Sequence, residues 1–134
     1  RRNVVGWDSS RLAMLTAVLE ARCGVPLSGN DIFLNVAGGL KISETAADLA
    51  VAAALISSVT CRAAPPRTVF FGEVALSSEL RQVAQAEARL KEAAKLGFDR
   101  AFLPHPHKKL LAPDGLLLSQ PATLADLIDM MGGK

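Results

Sequence analysis

The feature that most constrains the fold is one long apolar run over residues 46–59 (AADLAVAAALISSV), which the charged Asp48 interrupts. A helix needs about 20 consecutive apolar residues to cross a membrane, so this run is too short to span one. A run of this length and character is typical of a helix in a protein core. We therefore expect a helix over residues 46–58, buried against a sheet.

The start of this run carries a helix-capping pattern. Thr45 and Asp48 have the spacing of a capping box, in which Thr45 accepts hydrogen bonds from first-turn amides and Asp48 reaches back. A carboxylate also suits the positive end of the helix dipole. We favour this structural role for Asp48 over that of a catalytic carboxylate.

Shorter patterned segments alternate along the rest of the chain, without a repeat or a long linker. Residues 1–134 are therefore expected to form a single domain, of class α/β or α+β with a mixed sheet. Helices are predicted over 9–22 (capped by Asp8 or Ser9), 86–96 and 123–131, and strands over 4–7, 31–36, 69–74, 80–83, 100–103 and 116–119.

The composition is that of a globular protein, with 50% apolar and 21% charged residues and a formal net charge of +2. It excludes a collagen, a coiled coil, a disordered linker and a strongly polycationic tail. Cys23 and Cys61 have no paired spacing, which favours two buried free thiols in a reducing cytoplasm and leaves a disulfide open. The sequence shows no targeting segment, and its start without methionine is expected of a fragment of a longer protein.

Several common chemical motifs are missing from the sequence. It contains no phosphate-binding loop, no Gly-x-Gly-x-x-Gly and no Gly-x-Ser-x-Gly, so we do not expect this chain to bind ATP by itself. Its histidines, His105 and His107, lie among prolines and would need further ligands to hold a metal ion. We therefore expect a proline-bounded surface loop here and no metal site.

Positive charge is concentrated between Arg81 and Lys109, where seven basic and three acidic residues give a local charge of +4. Such a patch can hold phosphates by charge alone, although an ordinary solvated helix face explains it slightly better on sequence grounds. Because the chain has no tyrosine and one tryptophan, a stacking platform for single-stranded bases is not expected.

Five segments taken together resemble the C-terminal domain of the bacterial RadA (Sms) family. These segments are residues 8–15 (DSSRLAML), 35–42 (NVAGGLKI), 44–50 (ETAADLA), 71–74 (FGEV) and 92–98 (EAAKLGF). Members of that family carry a zinc finger, a RecA-like ATPase core and a C-terminal domain similar to the proteolytic domain of Lon. The resemblance implies an α+β fold, with a mixed β-sheet packed against helices. It places ATP, magnesium and zinc in the full-length protein and no cofactor in this domain.

The resemblance also carries information about catalysis. Peptidases of the Lon type use a serine–lysine dyad, in which the lysine activates the serine as a general base. On that pattern Ala46 occupies the serine position and Glu87 the lysine position. A methyl group cannot attack a carbonyl, and neither Ser43 nor Thr45 occupies the matching place. We therefore expect no catalytic residue and no peptide hydrolysis.

The resemblance finally implies a cytoplasmic, membrane-free role as a scaffold in a ring, expected to be hexameric. The full protein would be a DNA-dependent ATPase that drives branch migration, and this domain would contact branched or single-stranded DNA. An active ATP-dependent serine peptidase and a pure oligomerisation module without DNA contact stay open as alternatives. The expected phosphate contacts are Lys41 and Arg81, with Arg89, Lys91, Lys108 and Lys109 as weaker ones.

Overall fold

The computed structural model describes residues 1–106 and 109–132 of the chain. Helices and strands alternate along it. The helices are α1 (Ser9–Cys23), α2 (Asp48–Thr60), α3 (Ala86–Lys95) and α4 (Leu124–Gly132). The strands are β1 (Arg2–Val5), β2 (Ile32–Asn35), β3 (Thr68–Phe70), β4 (Glu73–Val74), β5 (Leu80–Arg81), β6 (Arg100–Phe102) and β7 (Leu117–Ser119).

Local signals set both ends of α1, as the sequence predicts. Asp8 caps its N-terminus, where a side-chain oxygen accepts a hydrogen bond from the Ser10 amide at 2.9 Å. Gly24 ends it in the left-handed conformation (φ 69°), and its N–H donates to the carbonyl of Glu20. Asp8 and Gly24 thus define a helix whose apolar side turns to the core.

The apolar run forms α2 at the centre of the molecule, which confirms the predicted core helix. This helix packs against α1, α4, β3 and β4. Full burial of one leucine or isoleucine side chain contributes about 1.5–3 kcal/mol, so this helix is a main source of stability. Its buried apolar residues are Leu49, Ala52, Ala53, Leu55 and Ile56.

The fold class α+β is confirmed, and the β-structure is divided into small sheets. Within the described residues, β1 pairs with β2 in parallel, and β3, β6 and β7 form a parallel sheet in the order β3–β6–β7. An antiparallel pair, β4 and β5, makes a third sheet. The expected mixed sheet is therefore distributed over separate parallel and antiparallel parts.

Gly72 explains why the predicted continuous strand over residues 69–74 is wrong. Its φ of +152° turns the chain between β3 and β4, and a Cβ atom here would lie 2.6 Å from the Pro104 Cγ. Its N–H donates to the Ala46 carbonyl (2.9 Å), and its carbonyl accepts from the Leu49 N–H (3.0 Å). The positive φ and the close approach of Pro104 therefore require glycine here, and the backbone bonds fix this turn against the start of α2.

Gly6 shortens the first predicted strand in the same way, so that β1 ends at Val5 instead of Trp7. At φ +90°, a Cβ atom on Gly6 would lie 2.5 Å from the Leu40 carbonyl oxygen. The Gly6 carbonyl accepts from the Ile42 N–H at 2.8 Å. The loop that carries Lys41 is therefore held against the end of β1.

The two cysteines are free thiols, but the expectation that both are buried is wrong. Cys23 is half-buried, and this burial raises the pKa of its thiol above the ordinary value. Cys61 is exposed, because it ends α2 in the left-handed conformation (φ 55°) at the surface. Among the described helices, none combines the length and the apolar character that crossing a membrane requires.

Candidate functional site

Asp48 is fully buried at the start of α2 and does not cap the helix, so the predicted capping box is wrong. Residues Thr45–Ala47 form a 3-10 turn, and neither it nor α2 has a side-chain cap. The Asp48 carboxylate instead accepts hydrogen bonds from the Arg11 Nε (2.8 Å) and Nη2 and from the Val74 amide (3.0 Å). A buried carboxylate needs such partners, because burial removes its water.

Arg11 joins α1 to this buried carboxylate. The side-chain hydrogen bond to Asp48 raises the pKa of Arg11, and the charges of Asp48, Glu73 and Asp8 raise it further against the opposing effect of burial. The sequence patterns did not predict a role for Arg11. The signal that points to it is the single acid within an apolar run, which requires a cationic partner from elsewhere in the chain.

A pocket of about 360 Å³ lies beside Ala46, and we call it the Ala46 pocket. Ala46 itself is buried, with 6% of its surface exposed. This is the position that the resemblance assigns to a nucleophilic serine. The lining residues are Glu44, Thr45, Ala46, Glu73, Gln82, Val83, Ala84 and Arg89.

Arg89 from α3 is the cation of the Ala46 pocket, and its guanidinium is well bonded. Its Nη2 donates to the Glu44 Oε1 at 2.8 Å, and its Nε donates to the Ala84 carbonyl at 3.0 Å. The same group lies over the Phe71 ring, 5.8 Å from the centroid. Through these contacts Arg89 holds α3 beside the segment that leads into α2.

Glu87, at the position assigned to a catalytic lysine, does not line the Ala46 pocket. Its Oε2 accepts a hydrogen bond from the Leu111 amide at 2.9 Å. This bond attaches the segment that contains Leu111 to α3. The residues that line the pocket include one hydroxyl, on Thr45, and no lysine. A paired hydroxyl and amine are therefore not assembled by these lining residues.

A second cavity of about 440 Å³ contains Arg81, and we call it the Arg81 cavity. Glu73 lines both cavities, so they adjoin at β4. Arg81 stands opposite Glu73 in the β4–β5 register. Its side chain is exposed and makes no ion pair with any residue that the structure describes. The lining residues are Arg11, Met14, Glu73, Val74, Ala75, Leu76, Ser77 and Arg81.

The other predicted phosphate contacts are not gathered at these cavities. Lys41, Lys91 and Lys109 are exposed and line neither of them. Lys108 and His107 lie outside the described residues. Among the side chains in residues 1–106 and 109–132, no three His, Cys, Asp or Glu residues gather where they could hold a metal ion. The structure thus brings Arg11 and Arg81 to one cavity and Arg89 to the Ala46 pocket, which shares Glu73 with it.

Comparison with known proteins assigns the chain to a family. The family model described as "Subunit ChlI of Mg-chelatase" matches residues 9–107, which include α1, α2, α3 and both cavities. The chain belongs to the ChlI family. Its ChlI region thus contains the Ala46 pocket and the Arg81 cavity entirely.

This ChlI-family chain is also similar to curated proteins named DNA repair protein RadA. Identity is 54% over 128 residues with the protein of Brucella abortus, covering 96% of this chain and 27% of the relative. It is 46% over 131 residues with that of Pseudomonas aeruginosa, covering 98% of this chain and 29% of the relative. For Salmonella typhimurium it is 43% over 130 residues, covering 97% and 28%. The chain therefore spans less than a third of these relatives, and its resemblance to RadA proteins is confirmed. The Lon-type assignment stays a prediction.

Proposed function

We propose that this chain is a non-proteolytic scaffold and DNA-contacting domain of a RadA-like DNA repair and recombination ATPase, which promotes branch migration of recombination intermediates. The observation that carries this proposal is an identity of 43–54% with RadA proteins over 96–98% of the chain. The family description names a magnesium chelatase subunit, and this identity favours DNA repair over that activity. The longer protein would bind ATP, magnesium and zinc elsewhere, form a hexameric ring and act in the cytoplasm.

The non-proteolytic part of the proposal rests on the Ala46 pocket. A methyl group stands where a nucleophile would be needed, and Glu87 is bonded to the Leu111 amide outside the pocket lining. Arg89 lines the pocket as a charged partner of Glu44, and a guanidinium group does not act as a general base. This arrangement supports a structural role for the domain without peptide hydrolysis.

The test of this part is a peptidase assay of the 134-residue chain with unfolded casein and a fluorogenic peptide. We expect no product above the buffer control, and none from Ala46→Ser, because a serine here would lack an amine partner. Hydrolysis by the unmodified chain that is lost in Ser43→Ala or Thr45→Ala would contradict the proposal and favour the serine peptidase alternative.

The DNA-contacting part rests on exposed cations that form no ion pair with the residues that the structure describes. Lys41 and Arg81 are exposed and make no ion pair within the described part of the chain. We expect Lys41→Glu and Arg81→Glu each to weaken binding of labelled duplex and branched DNA at low salt while the fold stays intact. Because Arg81→Glu sets a second acid opposite Glu73, a slightly lower melting temperature is expected for this variant. Arg62→Glu is a matched control, since Arg62 is also exposed and unpaired among the described residues but follows the far end of α2.

A salt titration separates this proposal from a pure oligomerisation module. Phosphate contacts release counterions, so the logarithm of the DNA association constant must fall linearly with the logarithm of salt concentration. An oligomerisation module without DNA contact would show no specific binding in the same titration. That result, together with intact folding, would overturn the DNA-contacting part of the proposal.

A further inference from the structure

The Arg81 cavity contains a second guanidinium that the proposed function does not use. We propose that Arg11 and Arg81 together hold one phosphate group of a DNA backbone in this cavity. This inference rests on the proposed DNA contact and adds to it a defined site, with a residue from α1 as a partner for Arg81. Arg11 and Arg81 both line the cavity, although they are 70 positions apart in the sequence.

Arg11 is suited to this role because its orientation is already determined. Its Nε and Nη2 bond to the buried Asp48 carboxylate, and 26% of its side chain stays exposed. A guanidinium has five N–H donors in a rigid fork, so donors remain for a second anion after a two-point contact with Asp48. Arg11 would therefore bind a phosphate with little further loss of side-chain freedom.

Arg81 supplies the second cation of the same cavity. It extends from β5, is exposed and makes no ion pair with the described residues, so its charge is available to an incoming anion. The open rim is formed by the turn after β4, where Leu76 is 71% exposed and Ser77 presents a hydroxyl. A backbone strand of DNA would reach the two guanidinium groups across this turn.

The local charges distinguish a polymer phosphate from a free phosphate ion. Glu73 also lines the cavity, and Asp48 lies against Arg11, so two carboxylates balance the two guanidinium groups. The set therefore carries no net positive charge, and a free phosphate ion would be held only by its hydrogen bonds to the two guanidinium groups. A DNA strand can add phosphate contacts elsewhere on the chain, such as the one proposed at Lys41, which a free phosphate ion cannot make. These additional contacts favour DNA over inorganic phosphate.

The first test changes the rim of the cavity and leaves the Arg11–Asp48 pair intact. Leu76→Glu places a carboxylate at the cavity, and Leu76→Gln is its matched neutral control. We expect Leu76→Glu to bind a fluorescein-labelled duplex about tenfold more weakly than Leu76→Gln, as loss of one charge-assisted contact requires. The log–log salt slope should become shallower by about 0.9, the value for one lost phosphate contact.

A second pair of variants controls for a general effect of negative charge. Phe33 is 64% exposed and lines a different cavity, so Phe33→Glu and Phe33→Gln carry the same charge difference at another surface. We expect these two variants to bind DNA equally well. An equal loss of affinity in Phe33→Glu and Leu76→Glu would show that overall charge, and not the Arg81 cavity, determines binding, and it would overturn the proposal.

A double-mutant cycle tests whether the two arginines hold the same phosphate. Arg11→Lys keeps a cation for Asp48 and loses the rigid fork, and Arg81→Ala removes the second cation. If both contact one phosphate, the double variant should lose clearly less affinity than the sum of the single losses, with a slope change of about one phosphate contact. Additive losses would overturn the shared site. If Arg11→Lys fails to fold, the comparison of Leu76→Glu with Leu76→Gln decides whether the phosphate site exists.

The experiments separate failure of this inference from failure of the proposed function. If the chain binds DNA through Lys41 and Arg81, yet Leu76→Glu and Leu76→Gln bind equally, the phosphate site is wrong and the DNA-contacting function stands. If the unmodified chain binds no DNA at any salt concentration, both are wrong. Inorganic phosphate at matched ionic strength should not raise the melting temperature, and a rise lost in Leu76→Glu would identify a free-phosphate site instead.

Discussion

The Ala46 pocket and the Arg81 cavity share Glu73 but use arginine differently. In the Ala46 pocket, Arg89 is bonded to Glu44 and to the Ala84 carbonyl and lies over an aromatic ring. In the Arg81 cavity, Arg81 makes no ion pair with any described residue. The difference between Arg89 and Arg81 teaches that a guanidinium bonded to several internal partners serves architecture, whereas one without an ion pair among the described residues stays available to a ligand.

Burial adds a second contrast, between the two arginine–carboxylate pairs at these cavities. In the Arg11–Asp48 pair the carboxylate side chain is 0% exposed, whereas the Glu44 side chain of the Arg89 pair is 63% exposed. Solvent screens the exposed pair and leaves it worth little, while a buried carboxylate without its partner is costly. The first prediction tests this contrast.

The largest effect is expected from Arg11→Met. It leaves the Asp48 charge buried with only the Val74 amide as a described partner, so the free energy of unfolding should fall by about 3–5 kcal/mol. Arg89→Met breaks the exposed pair and should cost about 1 kcal/mol or less. Urea denaturation followed by circular dichroism measures both. Equal losses would contradict the contrast between the two pairs.

The next effect concerns Gly72, which precedes Glu73, the residue that lines both cavities. Gly72→Ala places a Cβ atom 2.6 Å from the Pro104 Cγ at a φ of +152°, so the free energy of unfolding should fall by about 1–3 kcal/mol. Gly29→Ala is the matched control, because a Cβ atom there has no neighbour within 4 Å. A Gly72→Ala variant as stable as Gly29→Ala would refute the close approach.

A smaller effect separates the two cavities by DNA affinity. Arg81→Ala should weaken duplex binding and reduce the log–log salt slope by about 1, as loss of a phosphate contact does. Arg89→Ala should leave the slope nearly unchanged, because that guanidinium is already bonded to Glu44 and to the Ala84 carbonyl and lies over the Phe71 ring. Fluorescence anisotropy over a salt series measures both variants. A larger slope change for Arg89→Ala would assign the phosphate contact to the Ala46 pocket instead.

The smallest effect is expected at Glu20, which lines neither cavity. Hydrogen bonds from Ser28, with the backbone amide of Leu27, lower the pKa of Glu20 below its ordinary value. A lowered pKa in the folded state means that this stabilisation is present above the ordinary pKa and is lost as the pH falls through the folded-state pKa.

Glu20→Gln should therefore have a lower melting temperature than the unmodified chain at neutral pH, and the difference should shrink in acid. Differential scanning fluorimetry between neutral pH and pH values below the ordinary range of a glutamate pKa measures this difference. A difference that grows in acid would contradict the direction of the pKa shift.

Much of the fold could be predicted because the signals are local. The apolar run predicts α2, and Asp8 and Gly24 predict the ends of α1. The strand over residues 69–74 could not be predicted as two strands, because the break at Gly72 depends on the approach of Pro104 from a distant segment. The capping box failed for a similar reason, since Asp48 found a stronger partner than the helix N-terminus.

The candidate site was predicted only in part. The resemblance led to Ala46 and Arg81, and both line cavities in the structure. Arg11 was missed, because its partner is 37 positions away and no local pattern connects the two residues. Glu87 was placed on the catalytic pattern, whereas the structure bonds it to Leu111.

The amino-acid sequence by itself determined which segments are helical, which helix is central and which chemical motifs are missing, because periodicity, caps and glycines act within a few residues. Only the tertiary structure decided which charges are paired. The packing of α1, α2, α3 and β4 decides whether a carboxylate lies close enough to an arginine to neutralise its charge. For Arg81 and Arg89 that choice separates a role in binding from a structural role, and it depends on contacts between segments far apart in the chain.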